Sequence, residues 1–206
     1  NNTKCYYCGS AQCPLKCEWT CPFSQTMDRA QLLSEFGTYA TNDPVEKQFI
    51  SRFVGLLQHQ DAFLRSHLPG HITGSAWIID KESGDVLLTH HAKLNRWLQP
   101  GGHADGDENV MRVAAREAQE ETGLQQLTLV SDKIFDIDIH TIPARGDMPA
   151  HLHFDIRYLF YSDKKHPLVI THESHDLRWI ALAGVADVCQ GNESMMRMAR
   201  KASSLL

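Results

Sequence analysis

The chain has 206 residues, 42% hydrophobic and 22% charged, which is enough for one core with an appendage. Its formal net charge is -5 and it carries no basic run, which argues against a broad nucleic-acid surface. No apolar run approaches membrane-spanning length and no secretory pattern opens the sequence, so a location in the cytoplasm, away from membranes, is expected.

Residues 1–26 crowd Cys5, Cys8, Cys13, Cys17 and Cys21 into a short polar segment, with Cys189 remote. Three readings stand side by side. The first is a Zn2+ site with Cys5-x-x-Cys8 as half of a tetrahedral thiolate set. The second is disulfides in an oxidising compartment. The third is a segment outside the native protein, with Met27 as a reasonable start.

Residues 27–68 read as a helical extension. Leu32, Leu33 and Phe36 make a short apolar face, and Asp43-Pro44 is a helix start with proline near its first position. Phe49, Ile50, Phe53, Leu56, Leu57, Phe63 and Leu64 then recur at helical spacing until Pro69-Gly70. The extension is expected to pack on the domain that follows, 69–206, or on a second subunit in a homodimer.

Strands begin at His71. HITGSAWIID, a turn at Glu82-Ser83-Gly84-Asp85, and VLLTHH have the form of a hairpin. A polar loop over Lys93–Arg96 and Trp97-Leu98 lead to Pro100-Gly101-Gly102, a turn whose backbone can approach a ligand closely.

The next stretch predicts a helix. Asp105 and Glu108 have capping-box spacing, with Asp105 or Asp107 as the cap. Val110, Val113, Ala114 and Ala118 form a narrow apolar stripe, and Gly123 is placed to stop the helix in a left-handed conformation. Glu117, Glu120 and Glu121 are related as i, i+3 and i+4, so they share one face. Like charges on one turn repel, and a divalent cation is the usual compensation. Carboxylate oxygen suits Mg2+ or Mn2+, with substrate phosphates completing the shell.

After this helix, LTLVSDKIFDIDIHTI and HLHFDIRYLFY contain period-two alternation, DLRWIAL is a late strand, and Asn192–Ala202 a closing helix. His151, His153 and Asp155 alternate on one strand and face the same way. The plainer reading is an exposed polar strand face; the other is reach to phosphates or a further metal. His103 follows the double glycine, where a phosphate contact and a local loop role are both open. Trp97 is suited to stacking a base or to core packing. The element order fits an α+β sandwich with a mixed sheet.

Residues 101–124 resemble the Nudix box, G-x5-E-x7-R-E-U-x-E-E-x-G-U, where U is apolar. Gly102, Glu108, Arg116, Glu117, Glu120, Glu121, Gly123 and Leu124 fall on its fixed positions, with Ala118 as the first U. The resemblance implies an α/β/α sandwich in which the box lies as loop-helix-loop against one end of the sheet. It implies a metal-dependent hydrolase acting on the pyrophosphate bond of a nucleoside diphosphate linked to another moiety. It also implies metal ligands Glu117, Glu120, Glu121 and the Gly101 carbonyl, with Arg116 holding a glutamate in place. Glu108 is expected to add an outer-shell or third metal contact. The general base is Glu120 or Glu173. A non-catalytic nucleotide-binding or regulatory module of the same fold is the alternative, and the intact glutamate set argues against it.

Overall fold

The computed structural model describes residues 27–206; the zinc, disulfide and start-site readings of Cys5, Cys8, Cys13, Cys17 and Cys21 lie outside the described residues. Among the described residues, two helices come first. α1, Arg29–Thr38, opens on a capping box in which the Asp28 carboxylate accepts the Gln31 N–H and the Gln31 side chain accepts the Asp28 N–H. α2, Pro44–Leu56, opens at the expected Asp43-Pro44, with Asp43 Oδ1 accepting the Val45 and Glu46 N–H groups at 2.8 and 3.1 Å.

The helical spacing that runs on to Leu64 does not remain helical. After Leu56 the chain closes tight turns through His59 N–H to Leu56 O and Leu64 N–H to Asp61 O. The carbonyls that a continuing helix would use are taken elsewhere: Ala62 O accepts from Ile72, and Phe63 O accepts from Gly106. Leu57 and Phe63 are still buried, so their spacing reported burial and not helix, whereas Leu64 is exposed.

The sheet has eight strands: β1 Gly70–Asp80, β2 Val86–His91, β3 Arg96–Leu98, β4 Gly101–His103, β5 Thr128–Leu129, β6 Asp136–Ile142, β7 His151–Ser162 and β8 Ser174–Ile180. The strand path is β3-β2-β1-β7-β5, with β4 also on β1, β6 on β7 and β8 on β2. β1 and β7 run parallel in unbroken register from Gly70 beside Leu152 to Asp80 beside Ser162; the other pairings are antiparallel. β3 and β4 escaped the sequence reading because three residues are too few for any period to show.

β1 is buried along its whole length, and its alternate residues serve two cores. Ile72, Ala76 and Ile78 join the core that contains α1, α2 and α3, Val110–Thr122. Trp77 and Ile79 join the core closed by α4, Val185–Val188, and α5, Glu193–Ser203. The result is the expected sandwich, with helices on both faces of a mixed sheet. The N-terminal helices belong to the first core: Leu32, Phe36 and Phe53 are buried, and Phe53 meets Phe154 edge to face at 5.3 Å between ring centroids. Among the described residues, no helix is long and apolar enough to cross a membrane.

Candidate active site

The site is built on α3 and the short strand β4 before it. Val110, Val113, Ala114 and Ala118 are fully buried, which fixes the rotation of α3 and turns the glutamates toward β4. The N-cap is Asn109, whose side chain accepts the Arg112 N–H at 3.0 Å. This corrects the expectation of Asp105 or Asp107. Asp105 sits at φ 50 and is gripped by Arg65, while Asp107 accepts the Asn109 N–H and pairs with Arg112 at 2.6 Å. Gly123 ends the helix at φ 76, as expected, and its N–H donates to Gln119 O.

Glu108 takes part in no capping box. Its carboxylate accepts the Arg29 backbone N–H at 3.1 Å and lies 2.9 Å from the Arg29 guanidinium. The start of α1 is thereby tied to the loop before α3.

Glu117 and Glu121 are the inner acids. Glu117 pairs with Arg116 at 2.8 Å and lies so close to the Gly102 backbone that a Cβ there would stand 2.4 Å from its carboxyl carbon. A side chain at 102 would push the Glu117 carboxylate out of this position. Glu121 is 6% exposed and accepts the Gly101 N–H. Burial, then the charges of Glu117 and Glu173, push its carboxyl up to about 8. Burial also raises Glu117, with Glu120 adding to the effect and Arg116 opposing it. Glu120 is the outer, exposed acid, 3.4 Å from Arg116.

Arg116 also donates to the His103 carbonyl at 2.9 Å, so one side chain ties the acids to β4. Gly101 pairs with Ser75 across β4 and β1. Glu173, on the turn before β8, is far away in sequence, yet its charge acts on both Glu117 and Glu121. Its backbone is held by the Ala92 N–H at 2.8 Å. The structure therefore brings Gly101, Arg116, Glu117, Glu120, Glu121 and Glu173 into one neighbourhood and directs Glu108 to Arg29.

Carboxylates crowded where burial disfavours their charge are a donor set suited to a hard divalent ion. With an ion among them, the same burial strengthens the attraction.

The exposed polar face expected for His151, His153 and Asp155 is not found. His151 is 7% and Asp155 2% exposed. Asp155 accepts from Thr73, Ser75, Gln99 and Arg157 at 3.0, 2.7, 3.2 and 2.8 Å. The reason is that β7 lies between β1 and β6, so its polar row is flanked on both sides by polar rows that it hydrogen-bonds. His153 stands beside His71 on one side and His140 on the other. Burial, then the charges of neighbouring groups, push His153 down to about 2 and His103 down to about 4. Trp97 is half-buried, with the His90 ring stacked 4.9 Å away and the Arg178 guanidinium 5.1 Å from its ring centroid.

Sequence reasoning missed a buried ion network next to this row. Asp136 is fully buried and accepts from Arg157 at 3.0 Å, Arg197 at 2.8 Å and Lys201 at 2.9 Å. Burial pushes its carboxyl up, but the Arg197 hydrogen bonds and the three cations hold it below the usual range. The available signal was Asp136 and Asp138 alternating with isoleucines in β6, and Arg157 standing two residues after Asp155 in β7.

The sequence profile of the NUDIX domain matches residues 70–198. An m7GpppN-mRNA hydrolase of Xenopus laevis, NUDT17, is 30% identical over 129 residues, covering 58% of this chain and 40% of the frog protein. The chain thus spans less than half the length of that relative. A rat bis(5'-nucleosyl)-tetraphosphatase (asymmetrical) is 26% identical over 108 residues, 52% of this chain and 71% of the rat protein. In fold the chain is similar to a C. elegans Ap4A hydrolase binary complex, with a TM-score of 0.53 at 23% identity over 65% of this chain and 96% of that one.

Proposed function

The chain belongs to the NUDIX family, and from that membership we propose that it hydrolyses the pyrophosphate bond of a nucleoside diphosphate linked to another moiety. The observation that carries the reading is the burial of Glu121 beside Glu117, in range of Glu120 and Glu173, against Gly101 and Gly102, which were expected as a turn but form the start of strand β4. Uncompensated, that crowding costs stability; compensated by cations, it is a seat for a polyanion.

Glu117, Glu120 and Glu121, with the Gly101 carbonyl, would hold Mg2+ or Mn2+. Such ions supply charge neutralisation on the phosphates and acidify water. The chain's own groups do the rest. Arg116 fixes Glu117 against β4 and keeps the acids from splaying. With no side chains at Gly101 and Gly102, the β4 backbone is open to close approach by the phosphates. Glu173 comes from a different element and is assigned as the base that takes the proton from the attacking water. Glu120 is less suited, because Arg116 already engages it. His103, which follows the double glycine on β4, is assigned a phosphate contact, and the half-buried Trp97 offers a ring for a base. The frog and rat relatives act on capped mRNA and on bis-nucleosyl tetraphosphate by their names. Both are nucleotides joined through a phosphate chain, the class proposed here.

A panel of dinucleoside polyphosphates, nucleotide sugars, cap analogues and nucleoside triphosphates, incubated with Mg2+ or Mn2+ in 18O-water, tests this. One member or more should be cleaved with label in a phosphate product. Glu173→Gln should lower kcat by on the order of 10²–10⁴-fold with KM little changed, whereas Glu120→Gln should weaken metal binding. Tight binding of a panel member without turnover would favour the non-catalytic module instead.

A further inference from the structure

We propose that His71, His151 and His153 form a second metal site, a three-imidazole seat for Zn2+ or a similar transition ion, distinct from the glutamate face. The parallel register places His71 directly beside His153, and His151 is two residues back along the same strand face. One potential ligand atom from each ring lies within 4.8 Å of the other two. The three ring centroids are 5.1, 5.1 and 5.3 Å apart. A tetrahedral ion with nitrogen at about 2.0–2.1 Å would space the ring centroids at roughly 5 Å.

The hydrogen bonds give each ring a direction. His71 Nδ1 faces the His67 carbonyl at 3.3 Å, and His151 Nδ1 faces the Pro149 carbonyl at 2.9 Å. Donation from Nδ1–H leaves the lone pair on Nε2, the arrangement in which an outer carbonyl fixes a ligating histidine. Nε2 of His71 and Nε2 of His153 are buried and, among the described residues, have no hydrogen-bond partner. Leaving such atoms unpaired costs free energy, which an ion bound to their lone pairs would recover. Water-filled solvation is limited, since His71 is 1% and His151 7% exposed.

Imidazole nitrogen selects a borderline ion such as Zn2+ and discriminates against Mg2+. Three protein ligands leave a fourth position. The His103 ring is the nearby candidate for it, 5.2 Å from His71 and 5.0 Å from His153. Because the His103 carbonyl accepts from Arg116, an ion engaging His103 would stiffen the β4 strand against which Arg116 holds the acids of α3. His153 is thereby assigned to this ion and not to phosphate.

The test uses the full chain with all five N-terminal cysteines replaced by serine, stripped with a chelator and titrated with Co2+. The expected result is one equivalent giving visible absorption of tetrahedral intensity, undisturbed by excess Mg2+. His151→Asn and His153→Asn should each weaken that binding by more than the roughly 10–100-fold that loss of an outer partner costs. His140→Asn should leave it unchanged. Zinc K-edge absorption of the unsubstituted histidine set answers the question independently of any variant's folding, with three imidazoles expected in the first shell. Absence of the tetrahedral band, its persistence in both histidine variants, or a first shell without imidazole would overturn the proposal.

Discussion

Glu121→Gln should lower turnover by at least ~10³-fold, as expected when the ion that polarises phosphate and water loses a ligand worth several kcal/mol in the transition state. The same change should make the metal-free protein more stable. Glu121 is buried, and its carboxyl is raised from 4.5 to about 8. A raised carboxyl contributes its stability below the unfolded value and loses it as pH rises through the folded one. Metal-free wild type should therefore fall behind the glutamine variant between pH 4.5 and about 8. The gap should reach on the order of 2–4 kcal/mol above that range. At pH 4 the two should unfold together. Thermal unfolding in chelator at pH 4 and pH 9 measures this, and adding Mn2+ at pH 8 should stabilise the wild type alone.

Asp136→Ala should destabilise the fold by about 3–5 kcal/mol. The substitution leaves Arg157 and Arg197 buried with a central counter-charge gone, and Lys201 beside them. At this chain length the midpoint should fall by roughly 10 °C. Removing the exposed Glu82 from its pair with Lys165 should barely move it, because solvent screens that pair. Equal midpoints for Asp136→Ala and wild type would show that the network is not holding α5 to the sheet.

The parts of this molecule legible in the sequence are those where a residue type answers a local demand. Asp43-Pro44 starts α2 and Gly123 stops α3 because those conformations accept few alternatives. The acids of α3 were visible because their spacing alone defines a face. What escaped depends on neighbours distant in the chain. Leu57 to Leu64 kept a helical period, but Ile72 and Gly106 claimed the carbonyls of Ala62 and Phe63. Asn109 displaced the expected caps once Arg65 had drawn Asp105 away. The polar row of β7 looked exposed because alternation says which residues share a face, not what covers it. Here β1 and β6 bring matching polar rows, which turn a surface pattern into buried charge and paired imidazoles.

The central claim is that the acids of α3 are a seat for cations. Mn2+ titration followed by electron paramagnetic resonance, on wild type and on the Glu117→Gln, Glu120→Gln, Glu121→Gln triple variant, measures this without any substrate. Wild type should take up Mn2+ with loss of the free-ion signal, and the triple variant, still folded, should leave that signal intact. Equal uptake with equal affinity in both proteins would contradict the account.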